Sequence, residues 1–288
     1  PPNHPPTMRR YEPIAGITVG ASGSDSTIPV PVNRRLLAIR LFAEATAAGP
    51  TQVFGASVID GIQIYVGTRL VRDLTAQEAL DIAALNGLAI TPSATVGLPI
   101  FFVEPWRASV MDEQVSAWDV FGAPAVTIKC RTKASLTSPM LTAVLDYDDG
   151  FTTNDQGARV LNIIKHEPIY LGSLGTQADI LSPTIPVDLP IQRILVYPAS
   201  GVTVSAVKVT INDNQVVQEL TQAQNINFLA DYGLVATSGN GKVFPVVFDA
   251  NQQMFDGLPA SRSIKLSITQ SGAGTVKLVM ERRAPAYV

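Results

Sequence analysis

The sequence predicts an all-β protein built from two tandem jelly-roll β-sandwiches, each with one short inserted α-helix. Three observations predict this class. The chain has 288 residues, more than one domain of ordinary size; short runs of branched and aromatic residues recur along it; and one set of local patterns occurs twice in the same order. The expected domains are residues 1–158, which include an N-terminal arm, and residues 159–288.

The composition excludes several classes of function. Hydrophobic residues make up 46% and charged residues 16% of the chain, so a disordered protein is excluded and sizeable cores are expected. The net charge of −3 contains no long run of either sign, which disfavours a specific nucleic-acid partner. The single cysteine, Cys130, cannot form an internal disulfide, and the two histidines, His4 and His166, cannot supply a multi-histidine metal site.

The repeated patterns indicate a duplicated domain. Their period of about 150 residues is far longer than a solenoid repeat, and the offset between the copies changes only in stretches typical of loops. The matching pairs are Arg10–Ile14 with Lys165–Ile169, Thr27–Val30 with Thr184–Val187, Leu74-Thr75 with Leu220-Thr221, Gly87-Leu88 with Gly233-Leu234, and Ile128-Lys129 with Ile264-Lys265. We therefore expect one domain copied in tandem, with a boundary near Arg159.

Both halves consist mainly of strand-like runs separated by Gly, Pro, Asn or Asp. In the first half these are Leu36–Phe42, Gly61–Val66, Arg69–Asp73, Leu98–Val103, Ala125–Arg131 and Met140–Asp146. In the second half they are Ile191–Tyr197, Val202–Ile211, Gln215–Leu220, Val243–Phe248, Ser263–Thr269 and Thr275–Arg282. Gly67-Thr68 and Asp213-Asn214 predict tight hairpin turns at matching places.

One helix is predicted in each half, at the same place in the pattern. Thr75 with Glu78 and Thr221 with Gln224 form capping boxes, and a glycine that can end the helix follows each box. The expected helices cover Thr75–Asn86 and Thr221–Tyr232. Several short strands and one helix per half favour a jelly roll. Two immunoglobulin-like sandwiches are the alternative, although their Cys…Trp…Cys spacing is absent from the sequence.

The densest carboxylate cluster is formed by Asp146, Asp148 and Asp149. Several carboxylate oxygens can hold a structural calcium ion, but an EF-hand loop needs an oxygen ligand where Gly150 stands. A solvated loop between the domains is therefore favoured over a metal site. His166 occupies the position of Tyr11 in the first half, which favours ring packing over a role as a general base. No catalytic residue and no cofactor are expected.

Two further segments are candidates for intermolecular contacts. Trp106, Trp118 and Phe121 lie in a long loop region that the second half lacks. They are interpreted as a buried subunit contact, with a local lid over the core as the alternative. Arg9 and Arg10 end a proline-rich N-terminal arm without acidic residues. This arm is either a disordered end or a segment that orders against a neighbouring subunit or an anionic surface.

Taken together, the two jelly-roll-like halves with their matching helices, spanning Arg10–Arg282, resemble the double jelly-roll major capsid proteins of membrane-containing icosahedral bacteriophages of the corticovirus and tectivirus type. The resemblance rests on architecture and size. It implies a homotrimer with six quasi-equivalent corners, neighbouring trimers and other virion proteins such as a penton protein as partners, and location in the virion after assembly in the host cytoplasm. It also implies that Arg9 and Arg10 face internal membrane lipids or an adjacent trimer.

Two other functions remain alternatives. A β-sandwich enzyme acting on carbohydrates would need paired carboxylates on facing strands, whereas the acids of this chain lie mostly in turns. A carbohydrate-binding or adhesin module would normally present exposed aromatic platforms, and a chain with only two tryptophans gives this reading weak support. The capsid function is therefore the preferred hypothesis.

Overall fold

The chain folds as two compact units. The computed structural model describes residues 8–47, 49, 51–106, 116–151, 162–182, 184–237, 242–250, 257–261 and 263–285. The first unit extends to Ile164, except for Ala84–Leu88, which belong to the second unit together with Lys165–Ala284.

The first unit is a sandwich of two antiparallel sheets. Its strands are β1 Arg10–Pro13, β2 Asp25–Val30, β3 Arg35–Thr46, β4 Gln52–Phe54, β5 Ile59–Val66, β6 Arg69–Thr75, β7 Leu98–Phe101, β8 Trp118–Asp119, β9 Val126–Thr132 and β10 Thr137–Asp148. One sheet has the order β1-β10-β3, and β4, β7 and β8 also pair with β3. The other contains β6-β5-β9-β2 in that order.

The long strand β3 organises the first of these sheets. Along one edge it pairs with β10 from Arg35 to Thr46. Along its other edge β8, β7 and β4 follow one another, in register with residues 35–36, 38–41 and 44–46. A single strand of twelve residues thus positions three short segments that are far apart in sequence.

The second unit has the same organisation with fewer additions. Its strands are β11 Asn162–Leu174, β12 Gln177–Leu181, β13 Ile191–Pro198, β14 Val204–Ile211, β15 Gln215–Thr221, β16 Phe244–Val247, β17 Ile264–Gln270 and β18 Gly274–Pro285. They form one sheet with the order β11-β18-β13-β16 and another with the order β12-β17-β14-β15.

Both units follow one strand order. When β4 and β8 are set aside, the first, eighth, third and sixth strands of each unit form one sheet, and the second, seventh, fourth and fifth form the other. This is the order of a jelly roll, in which two Greek keys fold over a shared core. The predicted all-β fold of two tandem jelly rolls is therefore confirmed.

A helix lies between the fifth and sixth of these strands in each unit: α1 Ala76–Leu85 and α2 Gln222–Asp231. The capping boxes are formed as predicted. Glu78 N donates to Thr75 Oγ1 (3.1 Å) and Thr75 N donates to Glu78 Oε2 (2.9 Å); Thr221 and Gln224 make the same reciprocal bonds. The glycines that follow, Gly87 and Gly233, adopt φ of 81° and 74°, as the left-handed end of a helix requires.

Two local expectations differ from the structure. Gly67 adopts φ of 61° in the β5–β6 turn, but in the β14–β15 turn the positive φ values fall on Asn212 and Asp213, one residue earlier than predicted. The repeated segments Thr27–Val30 and Thr184–Val187 also occupy different places in the two units, because Thr27–Val30 lies within β2 whereas Thr184–Val187 follows β12.

Each unit has its own hydrophobic core. Alternation along the strands places every second side chain inside, as the burial pattern of β17 illustrates. The fully buried residues include Ile28, Ile39, Leu41, Ile128 and Leu145 in the first unit and Ile194, Val209, Val246, Leu266 and Leu278 in the second. Within the described residues, neither helix has both the length and the apolar character needed to cross a bilayer.

Candidate assembly site

The candidate contact residues of the N-terminal arm lie at one sheet edge of the first unit. β1 is the edge strand and pairs with the end of β10, in the register Arg10 with Tyr147 and Tyr11 with Asp146. All four residues of β1 are exposed. This pairing brings the arginines before and within β1 next to the acidic end of β10.

Three arginines and three aspartates form ion pairs here, and we call them the arginine–aspartate row. Arg9 Nε and Nη2 donate to the two carboxylate oxygens of Asp146, at 2.8 and 2.5 Å. Arg35 Nε and Nη2 donate to those of Asp148, at 2.8 and 2.6 Å. Arg10 Nη2 lies 2.7 Å from Asp149 Oδ2. The forked guanidinium matches a carboxylate, so the two-pronged pairs are the stronger ones.

This geometry bears on the candidate calcium site. Asp146, Asp148 and Asp149 each face a different arginine, so each carboxylate already has a cationic partner. A cation at this place would have to displace guanidinium groups that already neutralise the carboxylates. In the part of the chain that the structure describes, no group of three or more His, Cys, Asp or Glu residues has the arrangement of a metal site.

Arg9 and Arg10 remain accessible while paired. Their side chains are 48% and 49% exposed, and the Arg9 guanidinium lies 5.9 Å from the centre of the Tyr11 ring. Because each arginine is neutralised by an aspartate of its own chain, the charge that this edge presents to a neighbour is smaller than the arm sequence suggests. Tyr11, the aromatic residue of this edge, is 67% exposed.

The three loop aromatic residues separate into different environments. Trp118 is fully buried: it pairs with β3 as part of β8, its ring lies 4.7 Å from that of Phe102, and the Arg72 guanidinium stacks 4.7 Å above it. The prediction that Trp118 forms a subunit contact is therefore wrong, because the core of its own unit covers it. Trp106 is half-buried and packs edge-to-face on Phe101 at 5.7 Å. Phe121 is 57% exposed and remains a candidate contact.

Sequence reasoning missed a buried ionic cluster in the second unit, which we call the Arg193 cluster. Arg193 is completely buried on β13, and its Nε and Nη2 donate to Asp249 at 2.9 and 3.3 Å. Glu281 Oε2 lies 3.4 Å from Arg193 Nε, and Glu281 Oε1 lies 3.1 Å from His166 Nε2. Asn86 Oδ1 accepts a bond from Arg193 Nη1 at 3.0 Å.

The Arg193 cluster explains His166 without catalysis. The imidazole is buried and hydrogen-bonded to a carboxylate that also faces an arginine, which fits the predicted packing of the ring inside the unit. Buried pairs of this kind add little net stability, but loss of one partner is costly because it leaves a buried charge without its counter-charge. The one available signal was Arg193 itself, since a charged residue inside an apolar strand must find a buried partner.

Comparison with known proteins agrees with this architecture. Residues 11–148 match the family model of the viral coat protein P2 N-terminal domain. A search of curated protein sequences gives no match.

Solved structures match over nearly the whole chain. The major capsid protein P2 from Bacteriophage PM2 superposes with a TM-score of 0.78 at 17% identity, covering 96% of this chain and 98% of that one. The major capsid protein of Sulfolobus Turreted Icosahedral Virus gives 0.66 at 11% identity, with coverage of 97% and 98%. The Faustovirus major capsid protein gives 0.59 at 8% identity, with coverage of 98% and 90%.

At such low identities the structural likeness establishes the fold, and the family model adds a sequence relationship for the first half. The resemblance to double jelly-roll capsid proteins is thereby confirmed. Residues 11–148 of the first unit match the viral coat protein P2 N-terminal domain, and the chain as a whole has the double jelly-roll fold seen in viral major capsid proteins.

Proposed function

We propose that this protein is a major capsid protein whose homotrimers tile the shell of an icosahedral virion. The observation that carries the proposal is the identical strand order of the two units, with a helix inserted at the same point in each. Two similar units in each of three chains provide six similar corners. A single gene product can then occupy hexagonal positions in a shell.

The matched structures support this role. Several of them are major capsid proteins, among them P2 of Bacteriophage PM2 and the protein of Faustovirus. A structural function also suits the chemistry of the described residues, in which the arginine–aspartate row and the Arg193 cluster consist of mutually paired charges. The proposed role is therefore architectural and not catalytic.

The partners follow from this role. The first proposed partner is another copy of the same chain, both within a trimer and at the contacts between neighbouring trimers. A penton protein at the fivefold vertices and the headgroups of an internal membrane are further proposed partners. Arg9 and Arg10 are the proposed residues for contact with lipid or with an adjacent trimer, because their half-exposed side chains lie at the start of the edge strand β1.

Light scattering on the purified full chain tests the proposal. The expected mass is three times the chain mass of 30.6 kDa, and electron micrographs of concentrated or native material should show pseudo-hexagonal units arranged in closed shells. A protein that remains a monomer at every concentration, and binds immobilised polysaccharides, would support the carbohydrate-binding alternative and contradict the capsid role.

A further inference from the structure

The first unit carries an open pocket on the sheet organised by β3, on the face that points away from the core, and we call it the Glu44 pocket. Its volume is about 220 Å³. Met140 is 56% exposed, and Ala94 and Thr142 are exposed as well, so the pocket is open to solvent. A space of this size is smaller than a drug-sized site and suits a small ligand. The pocket is lined by Phe42, Glu44, Phe54, Ala94, Met140 and Thr142.

Strand register places Glu44 at the centre of the pocket. Glu44 of β3 lies directly opposite Met140 of β10 on one side and Phe54 of β4 on the other. Phe42 lies two residues earlier on β3, and its side chain therefore stands on the same face of the sheet. Two aromatic rings and a thioether thus surround one carboxylate.

A turn beside β4 forms one wall of the pocket. Ser93 N donates to Val96 O at 2.7 Å, and Val96 N donates to Ser93 Oγ at 3.0 Å. The preceding Pro92 packs on Gly55 so closely that a Cβ at residue 55 would have no room. Because these contacts hold the turn against β4, the wall that includes Ala94 is already formed without a ligand.

Glu44 brings a negative charge into the pocket without a cation to balance it. Its side chain is half-buried, and Oε2 accepts a hydrogen bond from the neutral amide of Gln52 at 3.0 Å. Within the described ranges of the chain, Glu44 forms no ion pair, and no Lys, Arg or His lines the pocket. A carboxylate that is partly withdrawn from water attracts a cation more strongly than one in bulk solvent. The pocket is therefore complementary to a positively charged ligand.

The second unit shows that a jelly roll of this chain does not require the acid. Phe42 corresponds to Tyr197, because each lies two positions beyond the residue that pairs with the proline of β7 or β16. Two positions further on, Glu44 corresponds to Ala199, and β4 has no counterpart in the second unit. Opposite Tyr197 lies a cationic residue, Lys277. The carboxylate and its apolar surround are thus an addition to the first unit and not a part of the repeated scaffold.

The pocket lies far from the arginines of the N-terminal arm. Arg9 pairs with Asp146, which is six residues from Met140 along β10. Six residues of an extended strand span roughly 20 Å. If the strand end with Arg9 faces lipid, as proposed above, the headgroups lie at that distance from the pocket. This position favours a ligand that is free in solution.

We propose that the Glu44 pocket binds a small soluble organic cation, with a quaternary ammonium group as the preferred chemistry. The Glu44 carboxylate supplies the opposite charge, and the rings of Phe42 and Phe54 supply cation–π attraction. Met140 covers the methyl groups of the ligand. A primary ammonium group holds its water more strongly and gains less from apolar walls. The site does not depend on the oligomeric state of the chain.

Titration of the full chain with choline tests the proposal. The matched probe is the uncharged carbon analogue of choline, in which a tert-butyl group replaces the trimethylammonium group. The methionine methyl groups are isotope-labelled for NMR, and Met140→Leu identifies the Met140 signal. We expect choline to shift this signal to saturation and to leave that of Met280, which is buried in the second unit, unchanged. The neutral analogue should bind about tenfold more weakly or not at all, since it lacks the charge.

Two substitutions in the pocket and one control complete the test. Glu44→Gln keeps the size of the side chain and should weaken choline binding by about tenfold or more, and Phe54→Leu should weaken it as well. Glu219→Gln is the control, because it removes an exposed carboxylate that pairs with Lys208 in the second unit, and it should leave binding unchanged. Equal binding of choline and its neutral analogue, equal binding by the Glu44→Gln protein, or the lack of any shift at Met140 overturns the proposal.

Flotation with phosphatidylcholine vesicles distinguishes a soluble ligand from a lipid headgroup, because this lipid carries the same ammonium group. The parent protein and the Glu44→Gln variant should float to the same extent. Flotation that depends on Glu44 would overturn the assignment of a soluble ligand. Failure of these measurements leaves the proposed capsid function intact, since none of them involves assembly.

Discussion

Arg35 and Asp148 form a buried two-pronged ion pair between the first residue of β3 and the last residue of β10. Their Cα atoms are direct partners in the sheet, and the two donor–acceptor distances are 2.8 and 2.6 Å. The side chains are only 4% and 6% exposed. Asp148 Oδ1 also accepts from Gly150 N at 2.9 Å, so the carboxylate closes the turn that leaves β10.

Loss of the Asp148 charge should destabilise the first unit strongly. Asp148→Asn leaves the Arg35 guanidinium buried without its counter-charge, which costs about 3 kcal/mol or more in comparable cases. Asp25→Asn is the matched control, because the pair of Asp25 with Arg131 is exposed and its loss should cost less than about 1 kcal/mol. Urea denaturation of both variants measures the difference. Equal losses of unfolding free energy in the two variants would show that burial of the Arg35–Asp148 pair has no energetic consequence.

Gly150 should be required for the same pair. A Cβ at this position would lie 2.4 Å from Arg35 Nη2, so Gly150→Ala must push the guanidinium away from Asp148. The expected destabilisation approaches that of Asp148→Asn, and the double variant should lose much less than the sum of the two single losses, since both act on one contact. Gly172→Ala is the control, because a Cβ there meets nothing within 4 Å. Additive losses would contradict a shared mechanism.

Much of the local structure was predictable because its signals are short. The capping boxes at Thr75 and Thr221 depend on residues three apart, and the glycines that end the helices depend on a single conformation. The jelly-roll class was predicted from several short strands and one helix per half, and the recurrence of these signals after about 150 residues predicted two copies of it, whereas the strand order itself comes from the structure. Because the two halves carry matching patterns, the fold predicted for each half supports the fold predicted for the other.

The parts that sequence reasoning missed depend on residues far apart in the chain. Arg35 and Asp148 are 113 positions apart, and Arg193 and Asp249 are 56 apart, so no local pattern links either pair. Trp118 shows the same limit. An aromatic residue in a long loop can point inward or outward, and here pairing of β8 with β3 turns it into the core.

Apolar alternation alone also cannot separate a strand from a buried loop. Ile28 within β2 and Ile185 after β12 are both completely buried, and both stand in the sequence Thr-Ile-Pro-Val. The first belongs to a ladder with β9, whereas the second lies outside the strands of its unit. A side chain can enter the core from either setting, so two segments of identical sequence share burial without sharing secondary structure.

Low pH should weaken the attachment of β1 to β10, because it protonates the carboxylate of Glu12. Hydrogen bonds from Arg34 and then from Tyr147, together with the Arg34 charge, hold the pKa of Glu12 below its ordinary value of 4.5. A lowered pKa in the folded state means that this group contributes stability above about pH 4.5, and that the contribution is lost as the pH falls through the lowered pKa. Glu12→Gln should therefore lower Tm at neutral pH, and the two Tm curves should converge in acid. A gap that stays constant to pH 3 would contradict this assignment.

Cys130 should be unreactive in the native protein. Burial, and secondarily the charge of Asp25, raise the pKa of the Cys130 thiol to about 12, from an ordinary value of 9.0. At pH 8 the reactive thiolate is then roughly a thousandfold scarcer than in the unfolded chain. Dithiobis(nitrobenzoate) should label one thiol per chain in urea and almost none without it. Rapid labelling of folded trimers would mean that β9 opens readily, which its pairing with both β2 and β5 argues against.

Replacement of both half-exposed arginines should separate trimer formation from shell assembly. In the double variant Arg9→Ala, Arg10→Ala the carboxylates of Asp146 and Asp149 lose their partners, so the β1 edge changes from nearly neutral to acidic. An acidic edge should repel anionic headgroups. It also lacks the attraction of the two arginines to the lipid surface, which is on the order of 1 kcal/mol for each arginine. We expect light scattering to show intact trimers and electron microscopy to show far fewer complete particles. Arg131→Ala removes an exposed arginine paired with Asp25 and serves as the matched control, with particle yield near that of the parent. A normal particle yield from the double variant would show that Arg9 and Arg10 make no contact needed for assembly. Loss of trimers would instead place the two arginines at the interface between copies within a trimer, and not at the membrane or a neighbouring trimer.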